Sequence, residues 1–145
     1  MSTVITNVKT ATVLSKYAKA FDNTISILVN SKKGLKPQAI FDFISLTEFP
    51  AAHIEKILNK TVKTFNNYKR NNTSLDPVVS EKLLKLFYLY DKGVTTFGTL
   101  GEFNKWMGEP AFGLGNQVPQ NLLDTITGIE LVAEELTRIQ YGDLA

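Results

Sequence analysis

The chain has no cysteine, a single histidine and a single tryptophan. Without thiols it forms no disulfide, offers no thiolate nucleophile and builds no cysteine-bound zinc site, a composition compatible with a reducing cytoplasm. The lone histidine, His53, lies between Ala52 and Ile54. A Ser/His/Asp triad would have to use it, and it reads instead as a surface or half-buried residue. Apolar runs are also lacking, since none approaches the ~20 residues that span a bilayer. The opening "MSTVITNVKT" has neither the charged start nor the apolar run of a secretory signal. The expectation is a soluble, cytoplasmic protein. Gly98, Gly101, Gly113 and Gly115 follow no strand, so a phosphate cradle has no support. Glu134 and Glu135 are adjacent on a helix and face different directions, a poor geometry for paired acid and base. No catalytic residue, metal or cofactor is expected, and an enzyme is the least favoured class.

What remains is ample for a folded domain. A chain of 145 residues suits one domain, or two small ones sharing a core, and can bury a real apolar interior. The net charge of +2 is small, but its distribution is uneven. "KILNKTVKTFNNYKR" holds Lys56, Lys60, Lys63, Lys69 and Arg70 with no acid among them. Residues 121–145 hold Asp124, Glu130, Glu134, Glu135 and Asp143 against Arg138 alone. A basic middle and an acidic end suggest two different partners, against the plainer reading of solvated charge.

No segment sustains strict apolar–polar alternation and no repeat is visible, so the fold class is all-α. Residues 1–22 are either a short helix with Leu14, Tyr17, Ala18 and Phe21 inward or a loosely attached arm. "NTISILVNSKKG" favours a helix capped by Asn23 and ended at Lys32, Lys33 and Gly34, with a strand as the alternative. Pro37 opens a helix with Ile40, Phe41, Ile44 and Leu46 near one face, and Pro50 opens one with Ala51, Ile54, Ile57 and Leu58 apolar. Thr61 caps "VKTFNNYKRN", where Val62, Phe65 and Tyr68 make a narrow apolar edge under a wide polar face. "SLDPVVSEKLLKLFYLYDKG" is the central helix, capped by Asp76, opened by Pro77 and running to Gly93. "GEFNKWM" then forms a helix with Phe103, Trp106 and Met107 inward. The final helix lines up Ile126, Ile129, Val132, Ala133, Leu136 and Ile139, puts Glu130, Glu134, Thr137 and Arg138 opposite, and stops at Gly142.

The two short helices on either side of residues 59–61 have the dimensions of a helix-turn-helix, whose second helix enters the major groove. Lys60, Lys63, Lys69 and Arg70 suit phosphates, while Thr61, Thr64, Asn66 and Asn67 are the side chains that would meet the DNA between them. Asparagine can bond adenine through both amide groups. A lysine-rich solvated helix is the competing reading, and the turn lacks its usual glycine.

From residue 99 on, "EFNKWMGEPAFGLGNQVPQNLLDTITGIELVAEELTRIQYGDLA" resembles the toxin-binding domain of the Xre/MbcA/ParS antitoxins. The pattern runs through Trp106, Pro110, Leu114, Gly115, Pro119, Leu122, Leu123, Thr125, Gly128, Val132, Leu136, Arg138, Ile139 and Gly142. Upstream, "GLKPQAIFDFISLTEF" and the long helix with Ser80 and Glu81 are similar to the same family's Xre-like amino-terminal half. Lys60 stands where the family usually has an apolar turn residue, and Asn116 where a second glycine is frequent.

The resemblance implies an antitoxin of a type II toxin–antitoxin pair, often beside a RES-domain toxin that consumes NAD. The chain then divides into an Xre-like helix-turn-helix domain (23–96) and a toxin-binding domain (97–145), preceded by an arm or short helix (1–22) that matches no named pattern. The outer face and tail of the last helix, at Glu134, Arg138, Tyr141, Gly142, Asp143, Leu144 and Ala145, would enter the toxin's cleft. The helix-turn-helix would repress the shared promoter as a homodimer, because half-site readers usually pair. Trp106 and Pro119 are assigned to core and loop shape. The alternative is a helix-turn-helix regulator with no toxin partner.

Overall fold

The computed structural model describes the backbone of residues 3–142 and the side chains of residues 8–142. Its helices are α1 (Thr3–Phe21), α2 (Thr24–Lys33), α3 (Gln38–Leu46), α4 (Ala51–Leu58), α5 (Val62–Asn71), α6 (Pro77–Phe97), α7 (Leu100–Met107) and α8 (Ile126–Gln140). Between α7 and α8 lie two 3-10 turns, Phe112–Leu114 and Pro119–Leu122. The described residues contain no strand beyond one isolated bridge from Ala111 to Gln117. The fold is all-α, as its periodicity predicted.

Most helices begin where a short polar side chain takes up an unpaired backbone N–H. Asn23, Thr61, Asp76, Thr99 and Thr125 accept from the amides of Ser26, Thr64, Val79, Glu102 and Gly128. These are local bonds, so the sequence locates the starts well. Helix α1 is a long element packed on α6, not a short or loosely attached one, and it buries Leu14, Tyr17 and Phe21.

Helix α6 lies at the centre, touching α1, α2, α3, α7 and α8. Val79, Leu83, Leu84, Leu86, Phe87, Leu89 and Tyr90 are all buried, at offsets that cover more than half its circumference. A series of rings runs across it. Tyr17 stacks on Phe87 at 4.2 Å, Phe43 meets Phe87 and Tyr90 edge to face, and Tyr90 meets Phe103 at 4.9 Å. Phe43 was absent from the expected α3 stripe, which is in fact Ala39, Ile40, Phe43 and Leu46, with Phe41 and Ile44 at its margin. Ala51 is exposed, leaving Ile54, Ile57 and Leu58 as the buried side of α4.

Gly93 does not end α6. The helix continues to Phe97 and stops at Gly98, which takes φ 89°. Gly93 is instead a notch that receives the Phe103 ring, which a Cβ at that position would overlap. One buried hydroxyl closes the other end of the helix: Ser80 Oγ accepts from Leu35 N at 3.0 Å and donates to Leu75 O at 3.3 Å.

Against α1, Asp42 gathers Lys16 at 2.9 Å, Gln38 at 3.1 Å and the Tyr17 hydroxyl. Burial pushes this carboxyl up, but the bonds from Tyr17, Lys16 and Gln38 and the Lys16 charge outweigh it and hold the group below its ordinary value.

Two outcomes follow. Gly93→Ala forces the Phe103 ring aside and is expected to cost about 1–3 kcal/mol in urea unfolding, with partial recovery in the Gly93→Ala, Phe103→Leu double variant. Because the folded-state value of Asp42 lies below its unfolded 3.8, its contribution is complete above that pH and drains away as pH falls through the folded value. Asp42→Asn should therefore lower the melting temperature at pH 7 and flatten its decline below about pH 4, read by circular dichroism across pH 2–7.

Candidate functional site

Two surfaces collect the candidate residues. The first is the helix pair α4 and α5, joined through Asn59, Lys60 and Thr61. Asn59 adopts φ 54°, ψ 39°, the left-handed conformation that a glycine would otherwise supply, so the turn closes without one. Glu55 ties the two helices together by accepting from Val62 N at 2.8 Å. Phe65 is buried, and Val62 and Tyr68 pack at the edge of the core beneath α5.

The predicted DNA-facing residues do not all point the same way. Lys63, Asn66, Asn67 and Arg70 recur at intervals of three, one and three, one helix face, with Lys63, Asn66 and Arg70 exposed. Arg70 donates to Asn67 Oδ1 at 3.1 Å. Thr61 and Thr64 are joined hydroxyl to hydroxyl at 3.0 Å at the start of the helix. Lys69 is drawn back over the Phe41 ring, 4.7 Å from its centroid. Lys60, in the turn, lies 3.8 Å from Asp76.

The second surface is built by the segment from α7 to α8. Trp106 packs at the core margin against Phe97, and Pro119 is buried, both as the sequence suggested. Asn116 takes φ 64° next to Gly115 at φ 65°, so asparagine again does a glycine's work in the loop. At the start of α8, Gly128 lies so close to the Leu122 carbonyl that a Cβ would overlap it.

Along α8, Ile129, Val132 and Leu136 are buried, while Ile126, Ala133 and Ile139 lie at the margin. Glu134 and Tyr141 are exposed, and Gly142 follows the helix end at φ 75°. Arg138 is committed: its Nε donates to buried Glu135 at 2.8 Å. Asp143, Leu144 and Ala145 lie outside the described residues. Sequence reasoning missed two large apolar side chains here, Phe112 and Leu131, both exposed. The only sequence signal was an aromatic set among glycines in "AFGLG".

Polar bonds fasten the two surfaces to each other. His53 Nε2 donates to the Gln120 carbonyl at 2.9 Å and its ring packs tilted against Phe49, and the residue is half-buried. Lys82 donates to the carbonyls of Ile57 and Asp124, each at 2.8 Å. Burial lowers its pKa, with the Asp124 charge opposing the shift. Asn104 Nδ2 donates to Leu46 O at 3.1 Å. Among the described residues no group of three or more His, Asp or Glu side chains is placed to hold a metal ion, and no helix is long and apolar enough to cross a membrane.

Residues 92–142 match the antitoxin Xre/MbcA/ParS C-terminal toxin-binding domain. The chain is similar to "Antitoxin Xre" of Yersinia enterocolitica (serotype O:8 / biotype 1B), 27% identical over 119 residues that cover 81% of this chain and 80% of the relative. It is also similar to the "Prs ADP-ribosylating antitoxin" of Sphingobium sp. (strain YBL2), 28% identical over 123 residues, or 79% and 77% of the two chains. The matched domain contains the Phe112–Leu114 turn, the Gly128 contact and α8, and the similarity to both relatives extends well beyond it, so residues 92–142 are similar to the toxin-binding domain of the Xre/MbcA/ParS antitoxins.

Proposed function

We propose that this chain is an antitoxin that neutralises a cognate toxin through residues 97–145 and represses its own operon by binding promoter DNA through α4 and α5. The match over residues 92–142 supports the first half. In this reading the acidic outer face of α8 and the tail from Tyr141 enter the toxin's cleft, where carboxylates pair with the basic groups that bind a dinucleotide phosphate. The toxin is of the RES type and consumes NAD. The name of one relative points to similar chemistry, since ADP-ribosylation draws its ADP-ribose from NAD.

The DNA half rests on one observation: Lys63, Asn66, Asn67 and Arg70 share the outer face of a short helix whose underside is anchored by Phe65. Set in the major groove, the asparagines meet adenine edges and Lys63 and Arg70 neutralise phosphates. Lys60 and Lys69 contribute to the field from positions closer to the protein body. The working unit is a homodimer in the cytoplasm, reading two half-sites.

The two halves are separately testable. Binding of a duplex from the chain's own promoter, followed by fluorescence anisotropy, should weaken steeply with salt. The Lys63→Glu, Arg70→Glu variant should bind at least about tenfold more weakly, with the log–log salt slope reduced by about two per protomer. Unchanged affinity would remove the DNA assignment. Separately, a chain lacking residues 141–145 should lose capture of the protein encoded by the neighbouring reading frame while still binding the duplex; growth of toxin-expressing cells undiminished by that truncation would refute the role of the tail.

A further inference from the structure

Away from α6, one side of α8 leaves large apolar groups in water. Leu131 is 44% exposed and Phe112, on the 3-10 turn packed beside the helix, is 75% exposed. Leu131, Glu135 and Arg138 fall at intervals of four and three, so they share that side. Tyr141, 72% exposed, follows one turn after Arg138.

The turn bearing Phe112 is fixed from below. Glu135 is buried, and its carboxylate presses so closely on Gly113 that a Cβ there would overlap it. The same carboxylate accepts from Arg138. Leu114 is buried at the end of the turn, and Ala111 and Gln117 are joined in the bridge across its base. A rigid mount thus holds a bulky aromatic group outward, an arrangement that its own core does not use.

We propose that Phe112 and Leu131 are the apolar anchors by which the domain docks on its toxin, and that Glu135 and Arg138 brace the turn that presents Phe112. The proposal rests on the reading of residues 97–145 as toxin-binding and assigns a second contact region to it, beside the tail. The toxin is the occupant because this face lies wholly within the matched toxin-binding domain and runs directly into Tyr141 and Gly142. Interface energy concentrates in a few well-presented side chains, aromatic ones above all, whereas a half-exposed Arg already paired to its own helix offers less to a partner. Arg138 therefore acts on the toxin through Phe112.

The test uses the full chain and the protein encoded by the neighbouring reading frame, with affinity measured by titration calorimetry and fold checked by thermal melting. Phe112→Ser and Leu131→Ser should each melt as the wild type and bind about tenfold to a hundredfold more weakly. Gly113→Ala should also weaken binding, although it removes no contact group, because it displaces the turn from Glu135. If the wild type binds and the tail truncation does not, yet Phe112→Ser and Leu131→Ser bind as tightly as the wild type, the anchors are overturned and the toxin-binding reading stands. If the folded wild type does not bind the partner at all, both fall. A Phe112→Ser variant that loses self-association while keeping its affinity would assign this face to a second copy of the chain and likewise overturn the proposal.

Discussion

Burial around most of α6 is the constraint on which the rest of the molecule depends. A helix of 21 residues with apolar side chains over more than half its circumference cannot satisfy them with one neighbour. It therefore draws α1, α2, α3, α7 and α8 around itself. The rings of Tyr17, Phe87, Phe43, Tyr90 and Phe103 then continue one packed interior from the first helix to the domain matched as toxin-binding.

That continuity bears on how two recognition surfaces sit on one small protein. Lys82 bonds a carbonyl near the end of α4 and another just ahead of α8, while His53 and Asn104 add bonds of the same kind between the halves. Lys85 adds an ion pair from α6 to Glu130 on α8 at 3.1 Å. The helix pair proposed to read DNA is therefore held in fixed relation to the domain proposed to hold the toxin.

Much of this was legible in the sequence because it is local. Asn23, Thr61 and Asp76 cap the helices they precede, since the amide each one satisfies lies three residues away. The stripe of α8 and the narrow apolar edge of α5 follow from helical spacing alone. Legibility failed where a residue's role depends on a neighbour distant in the chain. Gly93 resembles a helix stop until the Phe103 ring occupies the notch it leaves. Phe43 is not singled out by the spacing of α3 because its partners, Phe87 and Tyr90, belong to another helix. Arg138 read as a solvent-facing cation, yet a buried carboxylate one turn away holds it. Lys69 belonged to a basic run by composition and is directed to Phe41 by packing.

By itself, then, the amino-acid order determined an all-α fold, the starts of most of its helices, and the motif by which the last third resembles an antitoxin toxin-binding domain. Those properties depend on residue identity and near-neighbour spacing. Only the tertiary structure decided which charges remain available to a partner, which aromatic groups stand outside the core, and that the two halves share one interior. Such outcomes depend on distances between segments far apart in the chain, and helical periodicity carries no information about them.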